Sequence, residues 1–386
     1  MEHSLRLIEL GGVVLGLALL SRLAVRFGFS PIPLYLLGGL AFGSGGILPL
    51  VTSEEFIEVG ASIGVVLLLL TLGLEYSTEE LLSTLRMSGT SGVMNVAFNF
   101  TPGFLAGLFL GWSPVAAAFL GGITYVSSSG IASKLLEDFR WVGNRETPVV
   151  LSLLVMEDLT MAVYLPLIGV LVAAGGVVAT LVSITTALIT VAIVLFVAVR
   201  HGALISRALV THSNESLLLS ILGLTLLIAG VLELARVSAA VGAFFVGLAL
   251  SGPLAERARP LLEPLRDLFA AVFFVFFSLE INPASIPPVI WPAIELAVMT
   301  AATKAAAVRL AARRAGVATR GQWRAAILLI PRGEFSIAIA AIAVAAGVEP
   351  QLGPLAAAYV LMLAIAGPTA ALVFRNRLAR RSATIA

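Results

Sequence analysis

The sequence predicts an all-α polytopic membrane protein, and two observations lead to this fold class. Of the 386 residues, 59% are hydrophobic and only 12% are charged, which is too little charge to cover a soluble domain of this length. The apolar residues, as in 59–74 and 170–199, run in blocks near the ~20 residues that a membrane-spanning helix needs. Because blocks this long and unbroken do not suit barrel strands, the spans are expected to be helices.

Polar residues, prolines and glycines divide the chain into about 13 predicted transmembrane helices. In chain order they cover 5–27, 31–49, 55–75, 88–111, 113–136, 147–173, 176–200, 215–233, 237–252, 264–281, 287–313, 321–346 and 354–375.

The distribution of basic residues supports this count, because cytoplasmic loops of membrane proteins are rich in Lys and Arg. With an odd number of helices, 20 of the 24 basic residues fall on the side of the C-terminus, and only Arg6 and Arg236 fall opposite. A miscounted helix would scramble this bias. We therefore expect a multi-pass protein of the cell's inner membrane, with its N-terminus outside and its C-terminus in the cytoplasm.

Two pairs of similar segments recur about 206 positions apart, which favours the inverted repeats that are common in secondary transporters. LTLGLEYS at 70–77 resembles VFFSLEIN at 275–282, and GLAFG at 39–43 resembles GLALS at 247–251. By the helix count, the matching helices run in opposite directions. The alternative is a chance similarity between apolar segments.

The composition excludes several classes of function. The absence of cysteine excludes disulfides and thiolate sites, and the three scattered histidines argue against a histidine metal site. A net charge of +2 without a basic stripe argues against binding to nucleic acid. Because no nucleophile–base pairing is visible either, we expect a transporter without a cofactor and not an enzyme.

Five ionisable residues fall near the middle of predicted spans, where a charge is costly and is by default a functional candidate. They are Glu157, Asp158, Lys304, Arg332 and Glu334. The adjacent acids Glu157 and Asp158 cannot both ionise cheaply, so we expect at least one of them to bind a proton near physiological pH. Their oxygens also suit an alkali cation, and competition between the two is the minimum that antiport requires. The alternative is a buried acid neutralised by a basic neighbour.

Lys304 lies among small residues that let another helix approach closely. A buried ammonium group needs a carboxylate partner, and we expect Glu157 to be that partner. Packing against backbone carbonyls is the alternative. On another predicted helix, Asn95 and Asn99 are expected to make hydrogen bonds between helices.

Two predicted helices contain residues that weaken a helix at mid-depth, and these fall at matching places in the two repeats. One holds Ser127, Ser128, Ser129 and Gly130, and the other holds Pro331, Arg332, Gly333 and Glu334. Paired interrupted helices point to the binding site of a transporter. We expect Arg332 near exposed carbonyls and Glu334 near exposed N–H groups, where they compensate the half-helix ends without contacting the ion.

Together, the Glu157–Asp158 pair, the SSSG break, Lys304 and the PRGEFS segment at 331–336 resemble the monovalent cation:proton antiporters of the Kef branch. The resemblance covers essentially the whole chain. It implies a core with broken, crossing helices (approximately 88–173 and 287–375), a dimerisation panel (approximately 5–75 and 215–281) and a linker helix (approximately 176–200). It also implies a homodimer.

The resemblance further implies roles for individual residues. The family's ion- and proton-binding carboxylate corresponds to Asp158, where a monovalent cation would bind, and its lysine corresponds to Lys304, which is expected to be the coupling lysine. The family's first position of the pair is Asp in electrogenic sodium/proton members and Gln in glutathione-gated potassium members, and Glu157 matches neither. The sequence ends at Ala386 without the nucleotide-binding domain of many Kef systems, so we expect any gating to come from a separate cytoplasmic subunit.

We therefore expect a secondary active antiporter in membrane lipid that exchanges K⁺, slightly preferred over Na⁺, for H⁺ by alternating access, in the service of pH homeostasis. Two alternatives stay open. A symporter of an organic anion with sodium on a related fold predicts a larger polar cavity, although adjacent acids disfavour an anionic substrate. A non-transporting sensor or a channel is the other, and a channel predicts currents without proton counterflow.

Overall fold

The computed structural model describes residues 2–26, 30–43, 54–75, 78–173, 213–234, 239–250, 253–279 and 281–383, together with the single residues 46, 196 and 209. Over these ranges every regular element is a helix. The α-helices are α1 (Glu2–Arg26), α2 (Ile32–Phe42), α3 (Glu54–Glu75), α4 (Thr78–Phe109), α5 (Pro114–Tyr125), α6 (Ser129–Asp138), α7 (Thr147–Ala173), α8 (Asn214–Leu234), α9 (Ala239–Ala249), α10 (Pro253–Leu279), α11 (Ile290–Arg314), α12 (Thr319–Leu328), α13 (Glu334–Ala345) and α14 (Leu352–Ala383).

The predicted all-α class is confirmed, and each predicted span within the described residues corresponds to a helix or to a pair of half-helices. The predicted linker helix over 176–200 lies outside the described residues, apart from residue 196. In the part of the chain that is described, five stretches are long and apolar enough by themselves to cross a membrane. They are Gly92–Phe109, Pro114–Leu136, Asn214–Leu232, Pro283–Arg314 and Leu352–Arg375.

Two helices begin well before the positions that the sequence predicted. Helix α4 begins at Thr78, where a span from 88 was expected, and α10 begins at Pro253, where a span from 264 was expected. Hydropathy marks only the part of a helix that suits lipid, and it misses a polar first section such as TEELLSTLR in α4. A proline such as Pro253 fits the first turn of a helix, where its missing N–H costs nothing.

Both predicted interruptions are confirmed. The span expected over 113–136 consists of α5 and α6, separated by 126–128, and the span expected over 321–346 consists of α12 and α13, separated by 329–333. At the first break Val126 adopts an extended conformation, with φ −82° and ψ 131°. At the second break Pro331 supplies no N–H and Gly333 is non-helical, with φ −159° and ψ −133°, so the helix is interrupted there.

The repeat is visible in the spacing of the helices. Pro114 and Thr319 begin α5 and α12 and are 205 positions apart, and Ser129 and Glu334, which begin α6 and α13, have the same separation. Helix α5 packs against α13, and α6 packs against α12. Because the first half of each broken helix packs on the second half of the other, the two run in opposite directions, as the inverted repeats require.

The chain divides into two compact units, and the first contains both helix breaks. It consists of Met1–Ser53, Thr90–Glu157 and Phe274–Ala386. One apolar cluster in it joins α6, α7, α11, α12 and α14 through buried side chains such as Ile131, Leu153 and Leu328. This packing fixes α6, which follows the first break, and α12, which precedes the second.

The second unit consists of Glu54–Gly89 and Asp158–Phe273. Its helices α3 and α9 approach so closely that a Cβ added at Gly73 would overlap the backbone of Phe244, and one at Gly247 would overlap the carbonyl of Leu70. Small residues are typical of helix contacts inside membranes, because they let two backbones meet. The division into a moving core, a panel and a linker, and the homodimer, stay predictions.

Candidate functional site

Helices α7 and α11 bring an acid and a base together inside the first unit. Lys304 Nζ lies 2.7 Å from Glu157 Oε1, and both side chains are fully buried. The ion pair expected from the sequence is therefore present. Lys304 Nζ also donates to the backbone carbonyl of Tyr125 at 2.9 Å, where α5 ends. The ammonium group thus satisfies one of the carbonyls that the end of a helix leaves without a partner.

The carboxylate of Glu157 accepts hydrogen bonds on both oxygens. Among the described residues, three groups donate to it: Lys304 Nζ and Asn95 Nδ2 to Oε1, the latter at 2.8 Å, and the backbone N–H of Ser127 to Oε2 at 2.6 Å. Both oxygens of Glu157 are therefore held by donors from α4, α11 and the first helix break.

Asp158 follows Glu157 directly on α7 and is 2% exposed. Successive residues of an α-helix point about 100° apart, so the two carboxylates leave the helix in different directions. The five ionisable residues that the sequence places at mid-depth are three acids and two bases.

Arg332 lies at the crossing of the two broken helices and is fully buried. Its Nε donates to the carbonyl of Thr124 at 3.2 Å, near the end of α5. Its Nη1 donates to the carbonyls of Leu329 and Ile330 at 3.0 and 2.9 Å, beyond the end of α12. One guanidinium group therefore compensates the carbonyl ends of both first half-helices, which carry partial negative charge. This is the placement that the sequence predicted.

Glu334 lies where α6 and α13 begin. Its Oε2 accepts from the hydroxyl of Ser128 at 3.1 Å, and its Oε1 accepts from the hydroxyl of Ser129 at 3.5 Å. Glu334 itself is the first residue of α13, so its carboxylate lies near the positive ends of both second half-helices. The sequence predicted N–H partners, and the observed ones are hydroxyls at the same helix ends. Gly130 is exposed nearby, and a Cβ there would lie 3.8 Å from Glu334 Oε1.

The two breaks also bond directly to each other. The hydroxyl of Ser127 donates to the carbonyl of Leu329 at 2.9 Å, and the backbone N–H of Ser128 donates to the carbonyl of Pro331 at 2.9 Å. A Cβ at Gly333 would lie 2.8 Å from the Cβ of Ser128, so the breaks meet too closely for a larger residue there. The crossing therefore brings together both sets of predicted break residues.

Asn95 and Asn99 on α4 were predicted from the sequence only to form hydrogen bonds between helices. The sequence did not predict that Asn95 bonds to Glu157. Asn99 Nδ2 donates to Asn95 Oδ1 at 2.7 Å, and the hydroxyl of Thr124 donates to the carbonyl of Asn99 at 2.9 Å. The signal that could have found them is their spacing of four residues, which puts both on one face of a helix at the depth of the acids.

A cavity of about 790 Å³ lies beside this cluster, lined by residues of α4, α5, α11 and α14. Its lining is mainly apolar, with Phe98, Phe109 and Met299, and its charged residue is Glu295. Within the described residues, no group of three or more His, Cys, Asp and Glu side chains could hold a metal ion.

Comparison with known proteins gives a family match over most of the chain. The family model described as "Sodium/hydrogen exchanger, transmembrane" matches residues 13–375. The K(+)/H(+) antiporter subunit KhtU of Bacillus subtilis is 33% identical over 95% of this chain and 93% of its own length. The ammonium/H(+) antiporter subunit AmhT of Alkalihalophilus pseudofirmus is 27% identical over 87% of this chain and 86% of its own length.

A solved structure shares the fold. The sodium proton antiporter MjNhaP1 of Methanocaldococcus jannaschii superposes with a TM-score of 0.73, covering 98% of this chain and 99% of its own. The two sequences are only 16% identical, so this likeness concerns the fold alone. It agrees with the two crossing, interrupted helices described above.

Proposed function

Because the chain belongs to the transmembrane sodium/hydrogen exchanger family, we propose that it is a secondary active antiporter that exchanges a monovalent cation for protons. The observation that carries this proposal is the buried Glu157–Lys304 ion pair beside two crossing helix breaks, with Asp158 next on the same helix. Acids buried at membrane depth mark ion pathways by default.

In the proposed cycle, Asp158 is the carboxylate that exchanges its occupant. Ionised, it binds the cation on one side of the membrane, and protonated, it returns to the other side. Glu157 and Lys304 form their ion pair in one state of this cycle, and Lys304 takes part in proton coupling. Losing one partner of a buried ion pair costs about 3 to 5 kcal/mol, so the pairing distinguishes the states. A site that holds either one proton or one cation, but never both, couples the two fluxes.

In this proposal, the inverted repeats give the protein two conformations, which open the site to opposite sides of the membrane in turn. The core (approximately 88–173 and 287–375) moves against a panel (approximately 5–75 and 215–281) that holds two chains together as a homodimer. Inverted repeats of transporters usually exchange their conformations in this way, around a site near the bilayer midplane. The distribution of basic residues supports an inner-membrane protein with its N-terminus outside and its C-terminus in the cytoplasm.

We propose K⁺ as the preferred cation over Na⁺. The name of KhtU describes a K(+)/H(+) antiporter subunit, and that relative is 33% identical over most of both chains. The word "subunit" in that name also supports a separate regulatory protein for this chain. An organic-anion symporter is disfavoured by the mainly apolar cavity with Glu295 on its wall, since a carboxylate repels an anionic substrate.

The test is the dissipation of a pH gradient in proteoliposomes. Purified protein is reconstituted with an internal pH dye, and K⁺, Na⁺ or Li⁺ is added outside with the membrane voltage clamped. Added cation should drive protons across the membrane, with the lowest half-saturating concentration for K⁺. Absence of proton movement with all three cations would overturn the proposal. Cation currents without proton movement would indicate a channel.

A further inference from the structure

We propose that Arg309 and Arg313 bind the phosphate-bearing headgroup of an acidic phospholipid, beside the short connection between α11 and α12. Helix α11 ends at Arg314 and α12 begins at Thr319, and the two helices pack against each other as a hairpin. The site shares no residue with the acid pair, so this inference goes beyond the proposed exchange of ions.

Arg309 is held through the face of its guanidinium group. Its Cζ lies over the ring of Trp323 in α12, 4.1 Å from the ring centroid. A cation in this position is attracted by the electron-rich face of the indole. A guanidinium group held over a ring keeps its N–H donors at its edge, where a phosphate group can accept two of them side by side.

The donors of Arg309 find no acceptor in the described part of the chain. Even Nε, which is buried, has no hydrogen-bond partner there. A buried donor without a partner is destabilising, so an acceptor from another molecule would stabilise this arrangement. Arg324, one residue after Trp323, differs, because it forms an ion pair with Glu146. No described carboxylate forms such a pair with Arg309 or Arg313.

The sequence around the hairpin adds a second cation on the same face. Arg313 follows Arg309 by four positions, which is only about 40° around the axis of α11. Arg314 points about 140° away from Arg309, and its Nη1 lies 3.9 Å from Met94 Sδ in α4. The whole segment 296–333 has seven basic residues and no Asp or Glu, so the potential at this face favours an anion.

The surroundings of the two arginines favour a lipid over a free anion. Both lie in the last two turns of Pro283–Arg314, a stretch long and apolar enough to cross a membrane. Trp323 and Leu310 beside them are 40% and 36% exposed. Tryptophan is enriched at the level where headgroups meet acyl chains. Basic pockets between transmembrane helices on the cytoplasmic side, where we place this hairpin, suit acidic headgroups.

The test is thermal unfolding of the purified protein in detergent, with increasing phosphatidylglycerol or phosphatidylcholine of the same acyl chains. We expect phosphatidylglycerol to raise the unfolding temperature of the parent protein. In Arg309→Gln its half-saturating concentration should be about tenfold higher, because a hydrogen-bonded charge is lost. Arg313→Gln should shift it less. Arg314→Gln removes the same charge from another face of the same helix and should match the parent.

Equal shifts in Arg309→Gln and Arg314→Gln would mean that phosphatidylglycerol responds only to the overall charge, and would overturn the inference. Equal stabilisation of the parent by phosphatidylcholine would refute the preference for an acidic headgroup. Equal stabilisation by glycerol phosphate, which has no acyl chains, would show that the site takes a free anion and not a lipid.

If Arg309→Gln does not give a folded protein, fluorescence quenching by brominated lipids decides. The signal of Trp323 is the difference between the parent and Trp323→Phe, which keeps a ring under Arg309. Brominated phosphatidylglycerol should quench this signal at a lower concentration than brominated phosphatidylcholine does. Equal quenching by the two lipids would refute the site. These measurements do not depend on ion exchange, so they stand apart from the test of the proposed function.

Discussion

The two helix breaks occupy the same place in the two repeats, yet their chemistry differs. The first, at 126–128, is Val-Ser-Ser and carries no charge, whereas the second, at 329–333, contains Arg332 and is followed at once by Glu334. Arg332 bonds carbonyls at the ends of both α5 and α12, and Glu334 bonds hydroxyls where α6 begins. One charge of each sign therefore serves both breaks.

This difference shows which part of a repeat must be duplicated and which part need not be. The interruption itself is duplicated, because the crossing needs two bent helices. The compensating charges, Arg332 and Glu334, occur only at the second break. Each buried charge costs several kcal/mol to dehydrate, and each of these two residues reaches helix ends at both breaks. The uncharged break then supplies hydroxyls and backbone groups to the charged one, as Ser127 does for Leu329.

Replacement of Arg332 by Met should have the largest effect, because this side chain bonds to carbonyls at both breaks. The change removes three hydrogen bonds from Arg332 to carbonyls at both breaks. We expect a loss of about 3 to 5 kcal/mol in the free energy of unfolding. Thermal unfolding in detergent, followed by tryptophan fluorescence, measures it, and Arg320→Met at an exposed position of α12 is the matched control. Equal unfolding temperatures for the two variants would contradict the shared role.

Alanine at Gly333 and at Gly130 compares the two breaks directly. At Gly333 the new Cβ would lie 2.8 Å from the Cβ of Ser128, so we expect a destabilisation of about 1 to 3 kcal/mol. At Gly130 the nearest atom lies 3.8 Å away, and alanine favours the helix by about 0.5 to 1 kcal/mol over glycine. In the same assay, the unfolding temperature should therefore fall for alanine at Gly333 and rise for alanine at Gly130. A shift of the same sign in both variants would refute the close approach of the two breaks at Gly333.

Among the changes expected to destabilise the breaks, Glu334→Gln has the smallest effect. The amide oxygen can still accept from Ser128 or Ser129, but the negative charge at two helix N-termini is lost. We expect a loss of about 1 kcal/mol in the free energy of unfolding, typical of a charge–dipole interaction that is partly exposed. A loss as large as that of Arg332→Met would show that the two charges are not shared in the way described.

Local chemistry made much of this site predictable. The burial of Glu157, Asp158, Lys304 and Arg332, and the position of both breaks, agree with what hydropathy and residues that weaken a helix predict. The pairing of Asn95 with Glu157 did not follow, because it joins positions 62 apart and depends on how α4 and α7 are rotated about their axes. The polar beginnings of α4 and α10 were missed, since hydropathy does not register a helix outside lipid.

The inverted orientation of the repeats was predictable from the helix count, but the contact between them was not. That Ser128 and Glu334 bond to each other, at equivalent places in the two repeats, depends on the crossing of two helices that sequence spacing alone does not locate. The division of the compensating charges was visible in the sequence only as a PRGE segment without a counterpart.

In the proposed antiport, one buried carboxylate, Asp158, takes up either a cation or a proton. Cation-driven proton movement in proteoliposomes of Asp158→Asn, beside the parent protein, tests this most directly. Because Asn has nearly the same shape and cannot ionise, we expect complete loss of exchange with an unchanged unfolding temperature. Exchange at the parent's rate in a folded Asp158→Asn protein would contradict it.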